Sequence, residues 1–460
     1  WRSTVDLPDF ATTTKLYLDI ETYSDNEMVA RAFLRDFKAG VDLSPHKPFI
    51  AFLTGLMEVN VESSIDTIAT LKSLLKGEQA HPRFNREIYD FVLLNWEQIV
   101  NQIDDIDPKA ALSGDKARIV LIGMMNEAGN HIIINCEEVG EAYGINYLFT
   151  ILARKKPLFF CNFNGFDFDL KFIIKRCELL GISHPFRVDD RPTIFRTAKM
   201  FSEPVQYQAI KYGNWHDSDE VAIIDLFHQV LAWDSVNHKL TAFNLKEVPI
   251  QLGLRKEKRL VLSHKDMQDR VKSGDLSELI QYLIFDLEDT RMIGDLLLPD
   301  IYYQRRILPD WKYQSLSTGG AGSKWNHVLK TEYIKRGDSL PVADEKKNFK
   351  GGLIGCFPGL YRNVSKIDVA SLYPTIMLLY QVAPSKDTHK TCLEVLYYLK
   401  KERLALKAIA DEKKGTPEGK LAKQMQGALK ILINSLYGLL GTQGLNFNDY
   451  EAAATVTAYG

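Results

Sequence analysis

The stretch Lys366-Ile367-Asp368-Val369-Ala370-Ser371-Leu372-Tyr373-Pro374 constrains this chain more than any other, because it sets one carboxylate in an apolar run and closes on a proline. The apolar run predicts a strand that delivers Asp368 to an edge. Pro374 cannot continue a ladder and pushes Tyr373 away from helical angles, so the N–H groups around Ser371, Leu372 and Tyr373 are expected to point outward. Outward N–H groups suit a phosphate. A carboxylate beside such a cradle calls for a divalent cation between them, since Asp and phosphate repel unless Mg²⁺ bridges both.

A second stretch, Gln426 to Gly438, reads as a helix. Gln426, Lys430, Asn434 and Tyr437 fall on one polar stripe, against an apolar back of Leu429, Leu432, Ile433 and Leu436. The stripe offers a lysine to a phosphate and an aromatic ring to a base. Asp368 through Pro374 resembles motif A of the family B DNA polymerases, and Lys430-x-x-x-Asn434-Ser435-x-Tyr437-Gly438 resembles their motif B.

At 460 residues the chain is too long for one core and implies two or three domains. The net charge of −2 does not advertise nucleic-acid binding, so a basic groove must come from segregation. Lys400, Lys401, Arg403, Lys407, Lys413, Lys414, Lys420, Lys423 and Lys430 supply that segregation, although such a run equally describes a solvated helix face. Five scattered cysteines without a C-x-x-C pair argue against a zinc site and a disulfide framework. No run of roughly 18 apolar residues exists, and the N-terminus has no signal-like pattern, so neither secretion nor a membrane span is expected. The start at Trp1 and the end at Gly460, inside a helical pattern, suggest a fragment open at both ends.

Lys15 to Thr22 alternates apolar residues and places Asp19 and Glu21 at i and i+2, on one face of a strand. Two acids facing the same way repel, so either one is protonated or a metal sits between them. Residues 26–115 show helical patterns at Ser64 to Leu75 and Arg86 to Ile103, with loops at Pro45 to Pro48 and Ile106 to Pro108. Alternating strands and helices from Ala117 onward suggest an α/β layer, with strands at Ile119 to Met124, His131 to Cys136, Pro157 to Asn162 and Val221 to Leu226. A helix is expected through Phe243 to Lys246, and another from Asp275 to Leu298, which puts Tyr282 and Asp286 on one face. Asp225 reads as a structural carboxylate, and His216, His228 and His238 lack ligand-like spacing.

The same family resemblance extends to these acids. Asp19-x-Glu21, the run Asn162 to Ile173 and Tyr282-x-x-x-Asp286 resemble its three exonuclease motifs in order. In the second, Asn164 with Phe168-Asp169 and Asn162 with Phe166-Asp167 both satisfy the spacing; the apolar continuation Leu170 to Ile173 favours Asp169, with Asp167 as the alternative. The resemblance implies a 3′–5′ exonuclease in which Asp19, Glu21, Asp169 and Asp286 bind Mg²⁺, or Mn²⁺ in its place, and Tyr282 orients the attacking water. It further implies that Asp368 binds the polymerase metals, that the backbone near Leu372 holds the triphosphate, and that Tyr373 blocks a ribose 2′-OH. Arg403 and Lys430 match the fingers residues.

Phe349-Lys350-Gly351-Gly352 resembles the family's Tyr-x-Gly-Gly motif, with Phe for Tyr. Ser317 to Ser323 looks flexible, and Trp311, Tyr313 and Trp325 among cations read equally as a DNA-holding surface or as packing aromatics. Helices at Leu393 to Asp411 and Gly419 to Leu440, joined by Lys413 to Pro417, form an αα-hairpin. The third polymerase motif and a thumb are not found before Gly460.

The expected layout is α/β and α+β multidomain. It comprises an RNase H-like exonuclease domain (1–300, with 26–115 as an insertion), a linker (301–347), palm (348–388), helical fingers (389–445) and the start of a return to the palm (446–460). The expected activity is DNA-directed DNA polymerase with proofreading by two-metal nucleotidyl transfer, in DNA replication. A stand-alone exonuclease and a non-catalytic DNA-binding remnant are the rivals. Expected partners are primer-template DNA, dNTPs and a processivity factor, in the cytoplasm or nucleoid, or in a host cell for a viral gene.

Overall fold

The computed structural model describes residues 7–60, 63–78, 84–101, 109–190, 193–195, 205–213, 221–348, 351–352, 355, 357–365, 367, 369 and 371–460. The fold is mixed α/β and divides into two units, 14–294 and a second that joins 295–460 to the segment before Thr14. The division at Gly294/Asp295 lies inside one continuous helix, and residues 7–13 group with the C-terminal unit.

The first unit begins with β1 (Lys15–Tyr23), followed by helices α1 (Asn26–Ala39), α2 (Lys47–Val59), α3 (Ile65–Lys76), α4 (Arg86–Leu94) and α5 (Trp96–Asn101). These helices close on a core of their own, built around Phe33, Phe37, Phe49, Leu53, Leu71, Ile88 and Val92. Pro45 to Pro48 is not a loop: a 3-10 turn, Ser44–His46, leads straight into α2, whose first turn holds Pro48. A proline is tolerated there because the first N–H groups of a helix have no intrahelical partner. The expected turn Ile106 to Pro108 and part of the helix expected to Ile103 lie outside the described residues.

The chain then returns through β2 (Arg118–Asn126), β3 (His131–Asn135), α6 (Cys136–Val139), α7 (Glu141–Lys155), β4 (Phe159–Asn162) and α8 (Asp169–Leu180). Short strands β5 (Phe186–Val188), β6 (Thr193–Phe195), β7 (Val205–Tyr207) and β8 (Ile210–Tyr212) precede β9 (Ala222–Asp225) and α9 (Leu226–Asn237). The unit finishes with α10 (Val248–Gln251), α11 (His264–Ser273) and most of α12 (Ser277–Gln304). The helix expected through Phe243 to Lys246 is instead a turn. There the Asn244 side chain accepts the Glu247 N–H at 3.0 Å, and Pro249 starts the short α10.

Five strands pair in the order β3-β2-β1-β4-β9, antiparallel across β3-β2-β1 and parallel across β1-β4-β9. One face, carrying Leu16, Leu18, Ile20, Ile122 and Met124, packs on Ile145, Leu148 and Leu152 of α7 and on Leu170, Ile173 and Cys177 of α8. The alternation that buries those residues turns Tyr17, Asp19 and Glu21 to the opposite face, where α12 lies. Two glycines admit that helix. A Cβ on Gly123, the cross-strand partner of Asp19, would fall 2.9 Å from atoms of Leu283 and Leu287, and one on Gly294 would fall 2.7 Å from the ring of Tyr17.

The second unit is helical in its described residues: the end of α12, then α13 (Tyr313–Thr318), α14 (Ala321–Arg336), α15 (Leu372–Leu379), α16 (Thr391–Glu412), α17 (Pro417–Gly441) and α18 (Tyr450–Tyr459). The Ser317 to Ser323 segment is not a flexible stretch but the end of α13 and the start of α14. Trp325 of α14 is fully buried, and its indole N–H donates to Leu432 O at 2.7 Å, while Tyr313 is also buried. These two aromatics therefore pack rather than face DNA. Thr416 caps α17 through Gly419 N, and Leu429, Leu432, Ile433 and Leu436 are buried while Lys430 and Asn434 are exposed.

The strand expected at Lys366 to Pro374 is absent among the described residues, where Ile367 and Val369 are exposed and unpaired in any ladder. Ser371 takes a left-handed φ of 51°, and Leu372, Tyr373 and Pro374 open α15. Pro374 sits in the first turn, so its missing N–H removes no helical bond, and Tyr373 accepts helical angles after all. No helix among the described residues is long and apolar enough to cross a membrane. The described cysteines, Cys136, Cys161, Cys177 and Cys392, are buried.

Gly123→Val is expected to force α12 off the sheet and cost about 1–3 kcal/mol of stability. Urea unfolding followed by tryptophan fluorescence checks this, and a midpoint equal to that of the unmodified chain would contradict the packing account.

Candidate active site

Asp19 and Glu21 reach one face because they are two residues apart on β1. Asp286 arrives from α12 on the helix turn that follows Tyr282, and Asp19, Glu21 and Asp286 each offer a carboxylate oxygen within 4.8 Å of the others. Asp169 enters at the first residue of α8, and its Oδ1 accepts the Ile20 N–H at 3.3 Å. Its carboxyl also hydrogen-bonds that of Asp19.

The turn before α8 explains why Asp169, rather than Asp167, lies in this group. Asp225, at the end of β9, accepts the N–H groups of Asn164 at 2.8 Å, Phe166 at 2.9 Å and Phe227 at 3.0 Å. Asn162 Oδ1 accepts Gly165 N–H at 3.1 Å, and Asn164 takes a left-handed φ of 64°, which Asn tolerates better than most residues. Asp169 ends up buried, whereas Asp167 is exposed and pairs with Lys171 at 3.0 Å. Asp225 therefore acts as the anchor of the turn, with its charge spent on backbone donors. His228 is buried and stacks on Tyr207 at 3.6 Å; burial pulls its pKa down to about 4. His238 closes α9 in a left-handed conformation, and His216 lies outside the described residues.

Burial and mutual repulsion set the electrostatics. Asp19 is pushed well above the usual carboxylate range by burial, then by Asp169, Asp286 and Glu21. Glu21 is pushed up by burial and by Asp286 and Asp169, with Lys246 and Arg259 opposing. Burial raises Asp169 to about 7 against the N–H groups that favour its anion, and burial raises Asp286 against the pull of Arg259. The Tyr282 hydroxyl, raised by burial and by its acidic neighbours, stays protonated and hydrogen-bonds Asp286.

Two cations that sequence reasoning missed face this group. Arg259 Nη2 lies 2.6 Å from Asp286 Oδ1, its guanidinium stands 5.2 Å from the Tyr282 ring centroid, and Lys246 Nζ lies 4.9 Å from the same ring. The sequence held one faint signal, the cationic run Arg255-Lys256-Glu257-Lys258-Arg259. Nothing in its spacing points at α12.

In the second unit, Arg403 Nη1 donates to Ser371 Oγ at 3.4 Å, Lys400 donates to Thr375 Oγ1 at 3.0 Å, and the rings of Tyr373 and Tyr437 stand 4.6 Å apart. Leu372 is the first residue of α15. Helices α15, α16 and α17 thus bring Ser371, Leu372, Tyr373, Arg403 and Tyr437 together. Lys430 lies near Asp300, whose carboxyl burial raises to about 7 while Lys430 opposes the rise, and exposed Asn434 follows one turn later. Asp368, Phe349 and Lys350 lie outside the described residues.

Comparison with known proteins gives one coherent answer. Residues 385–460 match the family model described as DNA polymerase family B. DNA polymerase 1 of Pyrococcus abyssi is 25% identical over 385 residues, covering 75% of this chain and 47% of its own length. A DNA polymerase of Thermococcus sp. (strain 9oN-7) is 26% identical over 348 residues, covering 69% of this chain and 42% of its own. The family B DNA polymerase of Pyrobaculum calidifontis shares the fold, with a TM-score of 0.59 and 21% identity over 77% of this chain and 47% of that one. The chain spans about half the length of the curated relatives it matches. The family model and these polymerases all point one way: the chain is similar to the family B DNA polymerases over about three quarters of its length.

Proposed function

We propose that the chain serves a DNA-directed DNA polymerase, that its 14–294 unit is an RNase H-like 3′–5′ proofreading exonuclease, and that its 295–460 unit carries part of the palm and the fingers. The observation that supports this best is the convergence of Asp19, Glu21, Asp169 and Asp286 from β1, α8 and α12. A set of largely buried carboxylates with hard oxygen donors fits a hard divalent cation such as Mg²⁺ or Mn²⁺. Asp19, Glu21, Asp169 and Asp286 would hold such a cation, which would supply a polarised water and charge stabilisation for a leaving 3′ oxygen.

The remaining work belongs to the residues themselves. Asp19 and Glu21 share a face and give the site its floor, and Asp169 is steadied by the Ile20 N–H. Tyr282, held protonated, can donate to a water and orient it for attack on the terminal phosphodiester. In the second unit, Arg403 and Lys430 offer cations to a triphosphate, the N-terminus of α15 at Ser371 and Leu372 offers backbone donors, and Asn434 and Tyr437 extend the same wall. Tyr373 lies against Tyr437, a placement that suits a ring beneath the sugar of a bound dNTP. Asp368 is proposed as the polymerase metal ligand by family resemblance, and primer-template DNA, dNTPs and a processivity factor are the proposed partners.

Asp19→Asn is expected to slow Mg²⁺-dependent shortening of a 5′-labelled single strand by about 10²–10³-fold while DNA binding persists. Equal rates in the two proteins would rule out the exonuclease reading. The raised carboxyls also predict a pH effect on folding. A carboxyl whose folded pKa lies above its unfolded value stabilises fully below the unfolded pKa, and that contribution is lost as pH rises through the folded pKa. With Asp169 and Asp225 at about 7, metal-free protein should lose thermal stability between about pH 4 and 7, and Mg²⁺ should restore it at pH 8 through the cluster. Melting curves in EDTA and in Mg²⁺ across that range check both the loss and its reversal. For the second unit, Tyr373→Ala should narrow the preference for deoxyribo- over ribonucleoside triphosphates, read by competition for nucleotide binding. An unchanged preference would remove Tyr373 from sugar selection.

A further inference from the structure

Behind the carboxylate cluster lies an ion network that the proposed chemistry does not use. Asp289, one turn past Asp286 on α12, has a side chain with 0% exposure. Both of its oxygens are engaged, Oδ1 by Arg255 Nε and Oδ2 by Arg259 Nη1, each at 2.5 Å. Arg255 continues outward to Glu288 at 2.8 Å and lies 5.1 Å from the Phe285 ring centroid. Arg259, with a side chain only 3% exposed, is therefore shared between Asp289 on one side and Asp286 on the other.

Arg259 and a divalent cation want the same oxygen. The contact at 2.6 Å falls on Asp286 Oδ1, on a carboxyl that also belongs to the metal-ready group. A guanidinium free to turn would take that carboxyl with both of its N–H arms, the geometry such pairs favour. With one arm committed to Asp289 it cannot. From this geometry we infer that Asp289 is a positioning residue for the cluster: it restrains Arg259 so that Asp286 stays available to a divalent cation. The inference rests on the reading of Asp19, Glu21 and Asp286 as a divalent-cation site.

It is tested by Mn²⁺ binding to the full chain, read from the loss of the free Mn²⁺ signal in electron paramagnetic resonance, with no substrate present. Asp289→Asn releases Arg259 onto Asp286, and Mn²⁺ affinity should fall by roughly tenfold or more, as when a partner of a metal ligand is lost. Arg259→Met removes the competitor, so affinity should rise, and the double variant should follow Arg259→Met rather than Asp289→Asn. Glu288→Gln removes the same charge from the outer end of the network and should leave affinity unchanged. Wild-type affinity in Asp289→Asn, or an equal fall in Glu288→Gln, would overturn the inference while leaving the site reading in place. Should Asp289→Asn not fold, Arg259→Met still decides, since unchanged or weaker Mn²⁺ binding contradicts a competing guanidinium. If the unmodified chain binds Mn²⁺ no better than Asp19→Asn, the site reading itself fails and the inference falls with it.

Discussion

Repulsion among acids buried in one place is the constraint on which the first unit turns. Desolvation alone makes a buried carboxylate costly, and each further one raises the cost for the others. The fold meets this with a shared hydrogen bond between Asp19 and Asp169, backbone donors to Asp169, and the two cations Lys246 and Arg259 beside Asp286. What remains is a site that must hold protons or a metal ion. That demand is paid for by the packing around it. The core of the sheet lies on the far face, under α7 and α8, and the near face is closed by a helix that two glycines allow within contact distance.

Part of this was legible in the sequence, and the limits are physical. The period-two alternation of Lys15 to Thr22 put Asp19 and Glu21 on one face, and the helical spacing put Tyr282 beside Asp286, because each relation is local. The choice between Asp167 and Asp169 was not fixed by spacing, since both satisfy the same pattern. It is decided in the structure by the turn that Asp225 holds some 60 residues away. Arg259 was invisible for the same reason, since its partners lie on α12 and no local period connects them.

Proline misled twice in one direction. The loop expected at Pro45 to Pro48 and the strand end expected at Pro374 are both helix starts, since Pro48 and Pro374 each stand in a first turn, where the absent N–H has no partner to lose. At Ser371 the turn is made by a left-handed residue just before the helix rather than by the proline within it. Glycine and serine in the 317–323 run misled in the other direction. Their composition suggested freedom, yet α13 and α14 take up most of the run, and two residues on Trp325 is wholly buried against α17.

The helices α1 to α5 show how a long excursion between two paired strands can sit beside a site that tolerates little movement. They leave from the end of β1 and return at the start of β2, and these strands are antiparallel neighbours with Tyr23 opposite Arg118. The two ends are therefore already held together by the sheet, so the length between them adds little entropy cost to closing it. The neck is tied by Thr22 Oγ1 to Ala111 O and by Ser24 Oγ to Lys116 O, each at 2.6 Å. The register of the ladder shifts between Glu21 and Thr22, directly after the last carboxylate of β1. An irregularity placed one residue later than Glu21 absorbs the departure of the chain without turning the carboxylate off its face. With a hydrophobic core of their own, these helices pack chiefly against one another.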